Sequence, residues 1–397
     1  MIPKGALDGL TILDLSRILA GPTCTQLLGD LGAEVIKIEN PKSGGDDTRG
    51  WGPPFVDGAD GSQTDLSAYF MCANRNKLSV AVDIASEEGQ ETIRALAATA
   101  DVVIENFKPG GLEKYGLDHA QLLQLHPHLI YCSISGFGQT GPNREKPGYD
   151  LMAQGYGGIM SLTGEPEGQP MKVAVGIADV VCGLYATIGI LSALRHRDQT
   201  GEGQHIDVAL VDTSISWLIN EGVAHLTTQK PRPRRGNEHA TIVPYQTFKT
   251  SDGHVLVAVG NDSQYARFCE FLERPDLAEG DNARNANRVL NRDHLIAEYE
   301  SELEKRTMAD VIAGLEARKV PVGPVHTLEQ VFATDQVAAR DMKISMARDD
   351  VAGGQVDLIG NPLKFSKTPV SYRHAPPRFG QDTHAVLDRL KKDHEPR

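Results

Sequence analysis

An apolar run of strand length, LTILDLS (Leu10 to Ser16), is followed by RILAGPTCTQLLGDLGAE and then by a second such run, EVIKIE (Glu34 to Glu39). The middle segment carries leucines at helical spacing, with Gly21-Pro22 at its start and Gly32 at its end. Strand, helix and strand in so short a span form a βαβ unit, and a crossover of that kind joins parallel strands. The unit recurs as LSVAVDI (Leu78 to Ile84), a helical EEGQETIRALAATA and DVVIENF (Asp101 to Phe107). It recurs again as a helical HAQLLQLHP followed by LIYCSISGF (Leu129 to Phe137). The pattern predicts an α/β fold, a doubly wound parallel sheet with its ligand chemistry beyond the carboxyl ends of the strands.

Beyond this, GEGQHIDVALVDTSISWLI reads as apolar and helical to about Gly222. QKPRPRRGNEH (Gln229 to His239) breaks the pattern with two prolines and four cationic residues, as a linker or exposed loop would. TIVPYQTFKTSDGHVLVAVG then reads as strand, Ser-Asp-Gly turn and strand, with helices following from about Asp262 to Arg318. The expected division is a large Rossmann-like domain over 1–224, a smaller α+β domain over 225–325, and a return to the large domain over 326–397. That last part holds a hairpin around VAGG (Val351 to Gly354) and a final helix, DTHAVLDRLKK, with Asp382 as its N-cap.

With 40 basic against 53 acidic residues, the net charge of −13 argues against a nucleic-acid footprint. An anionic ligand must then be held by a few local cations and backbone amides. MIPKGALDGL has neither a signal-peptide core nor a transit-peptide character, and the five scattered cysteines form no disulfide framework and no metal motif. A cytoplasmic enzyme with no metal is the expectation.

VAVGIADVVCGLYATIGILSALR (Val173 to Arg195) holds one charge before its terminal arginine, Asp179, and three glycines. It nearly reaches the length of a membrane span, but it has no second run to match it, so a helix packed inside the protein is the better reading. Asp179 is either the N-cap of that helix or a nucleophile, and the two roles are compatible. Helix-start amides would favour its ionised form in apolar surroundings. At the first βα turn, SRILAGP lacks G-x-G-x-x-G, which disfavours nicotinamide cofactors, although Glu39 imitates a ribose-binding acid.

LAGPTCTQLLGDLGAEVIKIE, DDTRGWGPPF, NRNKLSVAVD, VIENFKPG, YCSISGFGQTGP and PPRFGQDTHAVL together resemble the family III CoA-transferases, the formyl-CoA and carnitine CoA-transferase family. The likeness covers nearly the whole chain. GNEHATIVPYQTFKTSDG is similar to the branch that moves CoA between succinyl-CoA and glutarate or related dicarboxylates. The resemblance implies an acyl-CoA and a carboxylic acid as substrates, no tightly bound cofactor, and an interlocked homodimer. It puts Asp179 in the nucleophile's place.

Amide donors for the reacting oxygen are then expected at Gly136, with Gly138 near it, and at Gly236 and Asn237. CoA contacts carry over to Leu19 and Ala20, to Asn106, Phe107 and Lys108, and to Lys114. Many members have Arg where this chain has Asn40, and Lys42 is the expected substitute there. Arg17, Arg49 and His239 are the candidates for the acid's distal carboxylate, and Tyr149 and Asp150 for orienting substrate. Three other readings compete. An α-methylacyl-CoA racemase would need a histidine near position 150, where the chain has Gly148-Tyr149-Asp150. A thioesterase would use Cys132 beside His126 and His128. A CoA-binding protein without turnover would have no need of Asp179.

Overall fold

The computed structural model describes residues 5–393. The chain forms two compact units. One comprises the residues up to 160 together with 172–230 and everything from 335 on; the other comprises 161–171 and 231–334.

The larger unit is built on a six-stranded sheet of β1 (Thr11–Asp14), β2 (Glu34–Glu39), β3 (Lys77–Ala81), β4 (Val102–Glu105), β5 (Ile130–Ser135) and β6 (Gln204–Ala209). Every pairing is parallel, in the order β3-β2-β1-β4-β5-β6. The order reverses between β1 and β4, the switch point at which such sheets open a crevice. Both faces of the sheet are buried, which is why its strands read as continuous apolar runs. Ile12, Val35 and Ile104 face α1 (Ala20–Asp30) and α5 (Ile177–Thr200). Leu13, Ile36 and Val103 face α2 (Glu87–Thr99) and α3 (His119–Leu125). Each such side chain stabilises the fold by roughly 1.5–3 kcal/mol before entropy is counted.

β6 corrects the sequence reading, which took the chain from Gly201 to about Gly222 as helical. Ile206 and Val208 pair with Cys132 and Ile134 of β5, and only after Ala209 does the chain turn into α6 (Leu210–Ser216). Two β-branched residues at alternate positions satisfy the edge of the sheet, and that local signal was lost in the apolar background.

Helix α5 is long and apolar enough to cross a membrane by length and composition, yet its length is used for packing. Cys182, Ala186, Ile190 and Ala193 lie in the core beside α1. Gly183 makes this possible, because a Cβ there would sit 2.6 Å from the Ala20 carbonyl oxygen. Between α3 and α5 lies α4 (Asp150–Tyr156).

The smaller unit has an antiparallel sheet of β7 (Tyr245–Lys249), β8 (His254–Ala258) and β9 (Val322–Pro324), in the order β9-β8-β7. Helices α7 (Asp262–Phe271), α8 (Arg292–Leu303) and α9 (Met308–Ala317) pack around Phe248, Tyr265, Phe268 and Tyr299.

The end of the chain belongs to the larger unit. β10 (Lys343–Ala347) and β11 (Gln355–Ile359) form a hairpin, and α10 (Thr383–Asp393) closes the described chain. Asp382 stands before α10, but its carboxylate accepts from the Ser79 backbone at 2.9 Å. Buried charges near the start of the chain find partners here too. Arg49 donates to the Pro377 carbonyl, Arg75 to the Ile359 carbonyl, and Asn361 to the Asp30 carboxylate.

Candidate active site

The crevice between β1 and β4 opens into a cleft of about 570 Å³ in the larger unit. Three strand ends build it. After β1 come Arg17, Leu19 and Ala20, the last opening α1. After β4 come Asn106, Phe107 and Lys108, and after β5 comes Gly136. The first two loops are tied together: Arg17 N donates to Asn106 Oδ1 at 2.9 Å, and Asn106 Nδ2 returns a bond to Arg17 O at 2.7 Å. Asn40, Lys42, Lys114 and Tyr149 also line the cleft, as does Asp179. Among the described residues that line it there is no histidine and no cysteine.

Asp179 lies in the first turn of α5, two residues past the helix start, and is only 9 % exposed. The N-cap is Gly176, and no side chain caps the helix from that position. Asp150 takes over part of that work from α4: its Oδ1 accepts from Ala178 N at 2.8 Å, while Oδ2 accepts from Gln154 Nε2 at 2.7 Å. A Cβ on Gly176 would lie 3.8 Å from Asp150 Oδ1 and 3.8 Å from Asp179 Oδ2, so the two carboxylates flank that residue. Burial, and then the charge of Asp150, push the Asp179 carboxyl up to about 7. The expectation that helix-start amides would keep it ionised is thereby corrected, because desolvation and a like charge dominate.

Gly136 packs backbone to backbone against Gly148. A Cβ on Gly136 would fall 2.5 Å from Gly148 Cα, so this contact fixes the approach of the Tyr149-Asp150 segment to the end of β5. The Gly138 amide is already engaged, donating to Ser135 Oγ at 2.9 Å.

Arg49 is not among the residues that meet at the cleft. It is buried, and its guanidinium bonds Glu39 at 2.7 and 2.8 Å, Asp65 at 2.7 Å and the Pro377 carbonyl, with Phe70 stacked 3.7 Å away. A fork with every branch occupied cannot bind a substrate carboxylate. Glu39 is equally committed, accepting from Arg49, Ser79 Oγ and Asp46 N, so it is no ribose ligand. Arg17 does reach the cleft and pairs there with Asp47 at 2.6 Å, both side chains being well exposed. Lys42 pairs with Asp83 at 2.8 Å on the rim, and Asn40 Oδ1 accepts from Lys42 N.

Gly236, Asn237 and His239 belong to the smaller unit. Gly236 has φ +57 and donates to the Gly164 carbonyl at 3.0 Å. The His239 carbonyl accepts from Arg292 Nη2 at 2.6 Å, and its ring lies 5.0 Å from that of Tyr245. Cys132 is fully buried in β5 and its thiol is pushed well above the ordinary range by desolvation, which removes the proposed thioesterase nucleophile.

Two residues went unnoticed in the sequence. Lys146, three positions before Tyr149, lines the cleft and adds a cation to Lys108 and Lys114. Tyr69 has its hydroxyl pushed up to about 12 by burial and then by the charge of Asp179, so it stands in that carboxylate's field. The ring of Trp51 meets it edge-on at 5.1 Å. The AYF and WGPP segments carry these aromatics, but nothing in their spacing marks them.

The family model for CoA-transferase family III matches residues 7–383. The chain belongs to this family. It is 44% identical over 389 residues to the succinate–glutarate CoA-transferase of Agrobacterium fabrum, spanning 98% of this chain and 96% of that one. It is 40% identical over 382 residues to the human succinyl-CoA:glutarate CoA-transferase, with 96% and 85% covered. The crystal structure of a CAIB/BAIF family protein from Brucella suis superposes with a TM-score of 0.86 at 46% identity, covering 98% of this chain and all of that one.

Proposed function

We propose that this CoA-transferase moves CoA from succinyl-CoA to glutarate or a related dicarboxylate, with Asp179 as the nucleophile. The observation that carries the reading is a buried carboxylate in a cleft whose strand-end loops and cations suit a long anionic thioester. The two most similar curated relatives named above carry succinate or succinyl-CoA and glutarate in their names.

In this mechanism an Asp179 oxygen attacks the thioester carbonyl, the carbon–sulfur bond breaks, and CoA leaves as thiolate beside an aspartyl–acyl anhydride. The thiolate attacks the aspartyl carbonyl, releasing succinate and leaving an aspartyl-CoA thioester. An incoming carboxylate reverses both steps and leaves as the new thioester. Each intermediate stays activated, so the main requirement is exclusion of water. Leu19, Ala20, Ile134 and Leu210 supply apolar walls near the nucleophile. Lys108, Lys114 and Lys146 are positioned to receive the CoA phosphates. Arg17, which pairs with the exposed Asp47 at the cleft, is the candidate for the distal carboxylate.

Gly136 is proposed as an amide donor from its place on the cleft. Gly236, Asn237 and His239 belong to the proposal on family resemblance alone. So does the interlocked homodimer, which gains support from the exposed Ile188, Ile215, Ile219, Val223 and Leu226 along α5, α6 and the helix Ile219–Thr228. The racemase reading loses support, since no histidine is among the described residues that line the cleft.

Intact-mass analysis after incubation with succinyl-CoA, followed by borohydride or hydroxylamine trapping, tests the mechanism. Modification mapped to Asp179, and, in a parallel untrapped assay with glutarate added, glutaryl-CoA formed with no net release of CoA, is the expected result. Full activity with Asp179 unmodified would refute it.

A further inference from the structure

Ile18 stands between Arg17 and Leu19 with φ +73. A β-branched residue avoids this left-handed region, because its branched Cβ crowds the neighbouring backbone. Ile18 and Ile219 are the two β-branched residues with positive φ among those described, and of the two only Ile18 lines the cleft. Such a conformation persists only where the surroundings over-determine it, and it recurs at ligand sites.

The surroundings here are specific. Ile18 N donates to both carboxylate oxygens of Asp46, each at 3.2 Å. Asp46 is buried, and its carboxylate is held in turn by Lys37 Nζ at 2.8 Å, Thr48 N at 3.0 Å and Thr48 Oγ1 at 2.8 Å. Lys37 is fully buried and also donates to the Ser16 carbonyl at 2.9 Å. The Lys37–Asp46 pair therefore grips the turn on both sides, at residue 16 through the cation and at residue 18 through the anion. Neither side chain is among those lining the cleft.

We infer that Asp46 is a positioning residue: it holds Ile18 in its left-handed conformation, and so presents the Leu19-Ala20 backbone to the CoA thioester. The inference rests on the reading of the cleft as the CoA site. Without this grip Ile18 relaxes to negative φ, the peptide planes on either side rotate, and the wall at Leu19-Ala20 moves. The grip acts on binding geometry, not on the acylated carboxylate, so its loss raises KM for the thioester more than it lowers kcat. Glycine adopts the left-handed region freely, so it should relieve the need for the grip.

The test is a double-mutant cycle of Asp46→Asn and Ile18→Gly, read as KM for succinyl-CoA and kcat. Asp46→Asn is expected to raise KM at least tenfold and to change kcat less than threefold. Ile18→Gly alone serves as the reference, and in the Asp46→Asn background Ile18→Gly is expected to recover at least threefold in KM relative to Asp46→Asn. An unchanged KM in Asp46→Asn, or a loss that Ile18→Gly does not recover, overturns the inference.

If Asp46→Asn does not fold, Ile18→Pro carries the test, because it imposes negative φ and removes the amide while leaving Lys37 and Asp46 paired. Ile18→Pro is expected to raise KM tenfold above Ile18→Ala, and equal values for the two would overturn the proposal. The parent enzyme separates the two levels of the argument. If it shows no saturable dependence on succinyl-CoA, the reading of the cleft fails; if it saturates and Asp46→Asn matches it, the role of Asp46 alone fails.

Discussion

Asp150 Oδ1 and Asp179 Oδ2 lie on either side of Gly176, each 3.8 Å from where a Cβ on that residue would be, and Asp150 caps the helix that carries Asp179. One carboxylate thus both supports the other's backbone and opposes its charge. The Asp179 carboxyl is pushed up to about 7 by burial and then by this like charge.

The proposed attack needs Asp179 ionised, so on that reading kcat/KM for the thioester should fall below about pH 7 with the slope of a single titration. Asp150→Asn removes the like charge, and this limb should move to lower pH by half a unit or more. Asn keeps an oxygen for Ala178 N but loses the acceptor used by Gln154 Nε2, which should cost about 0.5–1.5 kcal/mol of stability. A pH–rate profile beside a urea titration reads both effects.

Asp179→Asn should abolish transfer, by at least about a thousandfold, while raising stability at neutral and alkaline pH. A carboxyl whose folded value exceeds its ordinary 3.8 takes up a proton on folding, so it subtracts stability as pH rises from about 4 to beyond 7. At roughly 1.4 kcal/mol per pH unit the ceiling is about 4 kcal/mol. Parent and variant should therefore unfold alike at pH 4 and diverge at pH 8, with the variant the more stable.

Gly148→Ala should be badly tolerated. Its Cβ would lie 2.2 Å from Gly136 Cα, and a backbone-to-backbone contact has no flexible side chain to give way. A stability loss of at least about 2 kcal/mol is expected, together with lower kcat, because the shift is passed to Asp150. Thermal unfolding and steady-state rates check this.

Arg49→Gln and Arg17→Gln should part company. The first leaves the buried Glu39 uncompensated and should cost about 3–5 kcal/mol. The second should leave stability within about 1 kcal/mol and raise KM for glutarate at least tenfold while sparing a monocarboxylate of equal length. Acceptor panels beside denaturation curves separate the two.

Lys114→Ala and Lys146→Ala should each raise KM for CoA thioesters by roughly three- to tenfold, as loss of a charge-assisted phosphate contact would. Added salt should weaken binding in the parent more than in either variant. Titrations at two ionic strengths suffice.

The parallel sheet was legible because buried parallel strands write themselves as apolar runs at regular intervals, and the cleft residues were legible because they follow those runs. β6 was not, since Ile206 and Val208 run straight into the apolar residues that follow Ala209 and were read with them as one helix. Arg49 was misjudged for a related reason: an arginine in a polar segment looks exposed, and its burial depends on Pro377, more than three hundred residues later. The alternative uses of Asp179, cap or nucleophile, could not be separated by spacing. The structure gives much of the capping to Asp150, a side chain from another helix.

The ties from Arg49, Arg75 and Asp30 to residues 359–377 also bear on how the protein is made. The first half of the sheet leaves the ribosome with these ions able to pair among themselves but short of the hydrogen bonds that residues 359–377 supply, and it stays so until nearly the whole polypeptide has been synthesised. Translation that stops early would therefore yield a chain that contains Asp179 but lacks the carbonyls and the amide that complete the hydrogen bonding of the scaffold beneath it, a natural target for proteases.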